Sequence, residues 1–336
     1  MKCIVVLIAI VLAGAAAMSH AATPVLVIHG GAGVIRKDMS PEREQAIRSA
    51  LNDALAHGYV ALKAGKPAPD AVTAAITVLE DSPYFNAGRG AVFTHDGRNE
   101  LDAAIMDGAT LRAGSIAGVE HVRNPILLAR AVMEHSPHVM LLGAGAEAFA
   151  RTQGIVLVEP SWFRTEERWQ QLQEALRHEA AGEHAEADRY RHFGTVGALA
   201  LDVSGHLAAG TSTGGMTGKR WGRVGDAPII GAGTWADARC AVSGTGWGEY
   251  YIRTAAAARI CLRVQMLSES VAQAAETVIN REIPALGGSG GAIVLGADGS
   301  IATPFNTDGM FRGWVGADGV PHVAIWSADE EARRAR

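Results

Sequence analysis

Apolar positions along the chain follow two different spacings, and each spacing predicts a different kind of element. A short apolar run at residues 25–28 predicts a strand that ends in a glycine-rich turn. Apolar residues then recur at helical spacing over residues 41–64 and 68–79, which predicts two consecutive helices. The same reasoning predicts strands at 101–106, 115–119, 139–142, 195–201, 207–213, 292–295 and 301–303, and helices at 125–134, 249–266 and 271–281.

Two turn sequences indicate how the later strands are connected. Residues 202–205 (Asp-Val-Ser-Gly) separate two predicted strands, and residues 297–299 (Ala-Asp-Gly) separate two more. Short polar turns with glycine are typical of β-hairpins, which build antiparallel sheets. Because helix pairs lie between these strands, the order favours an α+β protein with helices on the outer faces of two stacked sheets.

Composition limits the classes of protein to which the chain can belong. Its 336 residues are 48% hydrophobic, which excludes a disordered chain and is enough for one large core or two modest ones. The net charge of −5, without a long Lys/Arg run, argues against nucleic-acid binding. Residues 159–193 differ from the rest because they are rich in Glu, Arg, Gln and His, so this segment is predicted to be a mobile linker.

The first 22 residues have the features of a secretory signal peptide. Lys2 supplies a positive charge, residues 4–17 are almost wholly apolar, and small residues surround Ala21. Export would place the mature protein in the periplasm or outside the cell, without a membrane anchor, and would leave two cysteines, Cys240 and Cys261. An oxidising compartment allows them to pair, but the sequence favours two small buried apolar residues.

Several common catalytic and binding motifs are missing or incomplete. The chain has no His-Glu-x-x-His, so nothing predicts a zinc centre. Residues 143–148 match the G-x-G-x-x-A form but lack the βαβ context of a dinucleotide site, which favours a tight turn. Residues 29–33 lack the Gly-Lys-Ser/Thr of a P-loop, and residues 287–291 lack the strand-turn-helix context of a serine nucleophile.

The remaining chemical candidate is the pair Gly194-Thr195, where the charged segment meets a predicted strand. A threonine hydroxyl is a poor nucleophile at neutral pH and needs a base. A free α-amino group, whose pKa is about 7.7 to 8.0, is well suited to that task. Cleavage between Gly194 and Thr195 would create this amine beside the hydroxyl, and the predicted hairpin could bring Thr213 alongside. The sequence therefore indicates activation by self-cleavage.

Nine short stretches together resemble the plant-type asparaginase, or isoaspartyl peptidase, family of N-terminal-nucleophile hydrolases. The resemblance implies a four-layer αββα sandwich, made as one precursor and cut into an alpha subunit (23–194) and a beta subunit (195–336) of one globular domain. The stretches are 28–33 (IHGGAG), 85–88 (FNAG), 100–103 (ELDA), 106–108 (MDG), 123–125 (RNP), 194–197 (GTVG), 211–217 (TSTGGMT), 222–226 (GRVGD) and 304–307 (PFNT).

The resemblance also implies a role for each site residue. Thr195 would be the nucleophile and its freed amine the base, while Thr213 would polarise the hydroxyl. Arg223 would bind the substrate α-carboxylate through its planar fork, and Asp226 the α-ammonium. The other implied residues are Thr245 and Gly246 as oxyanion donors, Gly248 beside the charged ends of the substrate, Asn86 as a positioning residue, and Gly194 of the cleaved bond.

The implied reaction is hydrolysis of β-aspartyl dipeptides and of the L-asparagine side-chain amide through a covalent β-aspartyl-threonine ester, without a catalytic cofactor. Two alternatives stay open: a glycosylasparaginase, which shares the fold and nucleophile, and a non-catalytic periplasmic amino-acid binding protein. Trp247 stands where the family more often has a small residue, which leaves the substrate preference open. The resemblance further implies a dimer of alpha/beta heterodimers and a structural sodium ion on the backbone carbonyls of Leu79, Glu80, Ser82, Phe85, Ala87 and Arg89.

Overall fold

The computed structural model describes residues 22–33, 39–183 and 194–327. Almost all of the predicted signal peptide and the second part of the predicted linker, residues 184–193, lie outside these ranges. Within them, no helix is both long and apolar enough to cross a membrane.

Strands and helices alternate in short groups along the described chain. The strands are β1 (Val25–Ala32), β2 (Leu101–Asp107), β3 (Ala113–Val119), β4 (Met140–Leu142), β5 (Val196–Leu201), β6 (Leu207–Thr213), β7 (Thr234–Ala236), β8 (Cys240–Gly246), β9 (Gly290–Gly296), β10 (Ile301–Ala302), β11 (Met310–Val315) and β12 (Pro321–Ala324). The α-helices are α1 (Pro41–Lys63), α2 (Ala68–Asp81), α3 (Pro125–His135), α4 (Gly143–Thr152), α5 (Glu166–Ala180), α6 (Gly248–Thr254), α7 (Ala256–Leu267), α8 (Val271–Thr277) and α9 (Ile283–Ala285).

The strands form a large sheet and a small sheet. The large sheet has eight strands in the order β12-β11-β1-β5-β6-β2-β3-β4, and the small sheet has four in the order β10-β9-β8-β7. Neighbouring strands run antiparallel except β3 and β4. The predicted hairpins β5–β6 and β9–β10 are both present. Strands β7, β8, β11 and β12 were not predicted from the apolar pattern.

Three layers of apolar side chains separate the sheets and helices. Along β1, Leu26 and Ile28 pack with residues of α1 to α4, whereas Val25 and Val27 pack with residues of β8 and β9. Alternate residues of a strand point to opposite faces, so both faces of the large sheet are buried. A third cluster joins the outer face of the small sheet to α7 and α8. The predicted four-layer αββα architecture of an α+β protein is confirmed.

Local sequence explains where the first long helix begins. The Ser40 hydroxyl accepts a hydrogen bond from the Arg43 backbone N–H at 3.2 Å, and Pro41 occupies the first turn. A serine cap satisfies one of the unpaired amide groups at a helix start, and proline costs nothing there because its missing N–H would be unpaired anyway. Glu42 and Glu44 lie in the first turn, where negative charge suits the helix dipole.

Two predicted segments differ from the structure in detail. The single helix predicted at 249–266 is two helices, α6 and α7, because Ala255 adopts a left-handed conformation with φ of 48°. Part of the predicted linker forms α5, in which Leu172 and Ala175 are buried. Its charged composition follows from the exposed face of this helix, since only a narrow apolar stripe contacts the core.

The expectation that Cys240 and Cys261 are separate buried residues is wrong. Their Sγ atoms are bonded at 2.07 Å, with the Cα atoms 5.4 Å apart, and the bond joins β8 to α7. Cysteine sequence alone does not reveal such a pair, because the two residues meet only when the helix packs on the small sheet. The disulfide fixes the strand that carries Thr245 to the outer helical layer.

Substitution of Cys261 by alanine should lower the free energy of unfolding by about 3 kcal/mol, the loop-closure contribution expected for cysteines 21 residues apart. Urea unfolding with and without a reductant measures the effect. Reductant should bring the wild-type protein to the level of Cys261→Ala and leave that variant unchanged. Free thiols at both positions in the folded, unreduced protein would contradict the pairing.

Candidate active site

Strand pairing brings two threonine hydroxyls together at one end of the large sheet. Thr195 directly precedes β5, and Thr213 is the last residue of β6, the hairpin partner of β5. The Thr195 hydroxyl donates a hydrogen bond to the Thr213 hydroxyl at 3.1 Å, and Thr213 also accepts one from the Gly215 N–H at 2.9 Å. Both threonines are buried. Because Thr213 holds the Thr195 oxygen, the hydroxyl has a fixed position beside the preceding peptide bond.

Asn86 fixes the carbonyl of that peptide bond. Its side-chain amide donates hydrogen bonds to the Gly194 carbonyl at 3.0 Å and to the Gly215 carbonyl at 2.7 Å. The amide oxygen accepts from the Val92 N–H at 3.0 Å, which sets the orientation of the group. A donor on the Gly194 carbonyl polarises it towards attack by a neighbouring nucleophile.

Close backbone contact at Gly31 completes this part of the site. Its φ is 114°, and a Cβ atom there would lie 3.0 Å from the Thr195 nitrogen and would overlap Gly194. No residue with a side chain fits against the Gly194–Thr195 peptide at this position. The glycine-rich residues 29–33 therefore form the wall against which this peptide lies.

Thr245 and Gly246 lie at the end of β8. The Thr245 hydroxyl accepts a hydrogen bond from the Ala32 N–H at 3.2 Å, and therefore retains its own proton for donation. The Tyr251 hydroxyl lies 3.2 Å from the Thr245 carbonyl and 3.0 Å from the Gly291 carbonyl. These contacts hold the end of β8 against the glycine-rich wall.

Arg223 and Asp226 form a charged group beside these hydroxyls. Arg223 donates through Nε and Nη2 to the two carboxylate oxygens of Glu249, each at 2.9 Å. Asp226 is buried, and its Oδ2 has no hydrogen-bond partner among the described residues. Burial raises the pKa of Asp226 to about 6, although the charge of Arg223 opposes this rise. A buried carboxylate with an unpaired oxygen is suited to bind a cationic group.

Gly248 has no Cβ atom and therefore leaves room for the side chains of Arg223 and Asp226. A Cβ atom there would lie 2.7 Å from Asp226 Oδ1 and 2.9 Å from Arg223 Nη2. Gly215 lies between the charged Arg223–Asp226 group and the threonine hydroxyls. Its carbonyl accepts a hydrogen bond from Asn86, and a Cβ atom on it would lie 3.5 Å from Arg223 Nη1. The sequence-predicted residues therefore occupy one continuous site.

Three participants were not identified from the sequence: Gly31, Gly215 and Glu249. The first two lie in glycine-containing motifs, where no spacing rule distinguishes a contact with a catalytic peptide from an ordinary turn. Glu249 follows Gly248 directly, but its pairing with Arg223 joins residues 26 positions apart. Only the fold brings these segments together.

The loop predicted to hold sodium is lined by backbone carbonyls. Side chains at Gly88 and Gly90 would overlap the carbonyl oxygens of Glu80 and Phe85, respectively, so both glycines allow these oxygens to pack within the turn. The Glu80 carboxylate is fully buried, its Oε2 is unpaired within the described chain, and burial raises its pKa to about 8. Oxygen donors of this kind fit a hard cation. The described residues contain no group of three or more His, Cys, Asp or Glu side chains arranged for a metal.

Comparison with known proteins agrees with this fold. The family model described as Asparaginase matches residues 22–325, and the chain belongs to that family of N-terminal-nucleophile hydrolases. The resemblance noted from the sequence motifs is therefore confirmed, and the protein is an enzyme of the asparaginase class.

Individual relatives show which members of the family this chain resembles. The chain is 51% identical over 310 residues to the isoaspartyl peptidase of Salmonella typhimurium, covering 90% of this chain and 98% of that protein. It is 50% identical over 307 residues to the isoaspartyl peptidase of Escherichia coli, covering 90% and 96%. The plant-type L-asparaginase of Pyrococcus abyssi is 42% identical over 301 residues, covering 85% and 94%.

Replacement of Gly248 by alanine should raise the KM for L-asparagine by about tenfold, because the new methyl group displaces Asp226 and Arg223 from their common position. Steady-state kinetics measure the change. Gly145→Ala is the matched control, since a Cβ there meets no atom within 4 Å. A Gly248→Ala enzyme with unchanged KM would contradict a role for this surface in substrate binding.

Proposed function

We propose that the protein is a self-activated threonine hydrolase that cleaves β-aspartyl dipeptides and the side-chain amide of L-asparagine. The observation that carries the proposal is the position of the Thr195 hydroxyl, held 3.1 Å from Thr213 beside the Gly194 carbonyl that Asn86 binds. This arrangement has the parts that an intramolecular attack needs: a nucleophile, a polarised carbonyl and a fixed geometry.

Self-cleavage begins with attack of Thr195 Oγ1 on the Gly194 carbonyl carbon. The hydroxyl proton passes to the departing nitrogen of Thr195, the Gly194–Thr195 C–N bond breaks, and an ester forms between Gly194 and the side chain. Asn86 Nδ2 stabilises the negative charge that develops on the Gly194 oxygen. Water then hydrolyses the ester, which leaves Gly194 as a carboxylate and Thr195 with a free amine.

The freed amine serves as the base for the hydrolysis of external substrates. It accepts the Thr195 hydroxyl proton while the oxygen attacks the substrate β-carbonyl, and it returns a proton to the departing amine or ammonia. The Thr245 hydroxyl and the Gly246 N–H stabilise the oxyanion. Water attacks the resulting β-aspartyl-threonine ester, and aspartate leaves.

Charged groups select the substrate. Arg223, oriented by Glu249, binds the α-carboxylate, and the Asp226 carboxylate binds the α-ammonium. The names of the bacterial relatives favour an isoaspartyl peptidase over a glycosylasparaginase. A binding protein without chemistry gives no reason for the buried Thr195–Thr213 pair beside a polarised peptide.

Three further features belong to the same proposal. The loop at residues 79–89, which contains Asn86, would hold a sodium ion on the backbone carbonyls that the family resemblance implies. The alpha and beta subunits would assemble as a dimer of heterodimers. Export by the signal peptide would place the enzyme in the periplasm or outside the cell, and the disulfide supports such an oxidising compartment.

Thr195→Ala should yield a full-length, folded and inactive chain, because both the attacking oxygen and the cleavage that frees the amine are lost. Thr195→Ser, which keeps a hydroxyl, should cleave more slowly. Intact mass, N-terminal sequencing and hydrolysis of β-aspartyl-leucine measure these effects. Thr152→Ala, at an exposed threonine, is the control that should cleave normally. Cleavage or activity of the Thr195→Ala chain would refute the nucleophile assignment.

Binding of L-aspartate as a competitive inhibitor should weaken below about pH 6. Asp226 has its pKa raised to about 6, so acid removes the charge that holds the α-ammonium. The inhibition constant should rise by about tenfold per pH unit below that value. Asp226→Asn should remove this rise, because the amide does not titrate. The same rise in the Asp226→Asn enzyme would contradict this role.

A further inference from the structure

Four buried side chains between the two sheets are joined by hydrogen bonds: His29, Ser243, Thr211 and Thr234. We propose that this polar chain fixes Asp226 relative to Thr195, and that Thr234 is a positioning residue for recognition of the substrate ammonium. The inference rests on the proposed function, in which Asp226 binds that group. It adds a residue to which the sequence motifs assign no role.

The contacts within the polar chain are short and continuous. His29 Nε2 lies 2.9 Å from Ser243 Oγ, which lies 2.7 Å from Thr211 Oγ1. Thr211 Oγ1 lies 2.6 Å from Thr234 Oγ1, which lies 3.0 Å from the Ala227 carbonyl oxygen. All four side chains have no solvent exposure. Loss of any link would leave a buried polar group unpaired.

Two backbone carbonyls, which can only accept, lie at one end of the polar chain. The Thr234 hydroxyl is a donor to the Ala227 carbonyl at 3.0 Å, and the Thr211 hydroxyl is a donor to the Gly233 carbonyl at 3.3 Å. Burial lowers the pKa of His29 to about 3, so the imidazole stays neutral and joins the polar chain without bringing a buried charge.

The polar chain lies directly beneath the catalytic residues. Thr211 precedes Thr213 by two positions on β6, and Ser243 precedes Thr245 by two positions on β8. Residues two apart on a strand point to the same face, so Thr211 and Ser243 are each the next residue below a site residue. His29 pairs across the sheet with Gly197, which follows Thr195 by two positions.

The other end of the polar chain holds the loop that carries Asp226. Thr234 binds the carbonyl of Ala227, the next residue, while the Gly233 N–H donates to the Asp226 carbonyl at 3.1 Å. The Asp226 carboxylate packs against the same loop, since a Cβ atom on Gly233 would lie 2.7 Å from Asp226 Oδ2. The Thr234 hydroxyl therefore connects the position of Asp226 to the strands that carry Thr213 and Thr245.

Thr234→Val tests the inference, because valine keeps the shape of threonine but removes the hydroxyl. The inhibition constant of L-aspartate should rise by about tenfold, the effect of one lost buried hydrogen bond. Succinate, which lacks the ammonium, should bind as it does to wild type. Thr234→Ser should restore aspartate binding. Thr73→Val, at another buried threonine that donates only to the Pro69 carbonyl of its own helix, is the matched control.

Several outcomes of these measurements would contradict the positioning role of Thr234. Unchanged aspartate binding in Thr234→Val, or equal weakening of aspartate and succinate, would overturn the positioning role. If neither Thr234→Val nor Thr234→Ala accumulates as cleaved, folded enzyme while Thr234→Ser does, the hydroxyl is only structural and the inference fails. Equal binding of aspartate and succinate by the wild-type enzyme would instead refute the assignment of Asp226, and with it the basis of this inference.

Discussion

Pairing of β5 with β6 is the constraint on which the rest of the site depends. In this register Val196 lies opposite Ser212, so the residue before β5 and the last residue of β6 meet at the same edge. A shift of one residue would turn Thr213 to the opposite face and separate the two hydroxyls. Burial of β5 and β6 on both faces prevents that shift, because it would exchange the side chains of two different cores.

The site carries charges that the fold itself does not neutralise. Burial raises the pKa of Asp226 from 3.8 to about 6, so the folded protein holds this proton more tightly than the unfolded chain does. Stability therefore falls as the pH rises through that window, and the ionised carboxylate is a cost above it. In the proposed function, the substrate ammonium would offset this cost, so the charge that reduces stability would also favour a cation at this position.

The sequence predicted the residues of the candidate site better than it predicted the contacts that support them. Thr195, Thr213 and Asn86 lie in recognisable motifs. The structure joins the two threonine hydroxyls by a hydrogen bond and places the Asn86 amide on the Gly194 carbonyl. The pairing of Cys240 with Cys261 and the break at Ala255 were not predicted, because both depend on how α7 packs on the small sheet. The polar chain was also inaccessible to sequence reasoning, since its four members come from four strands that only the fold brings together.

The order of strands explains why the proposed cleavage after Gly194 would not separate the two proposed subunits. Strand β1 of the proposed alpha subunit lies between β5 and β11, both of which belong to the proposed beta subunit. Strands β2 and β6 form a further pair across the division. Release of either piece would break three rows of backbone hydrogen bonds and expose two buried cores. The chain can therefore lose one peptide bond and gain a catalytic amine while its sheet remains intact.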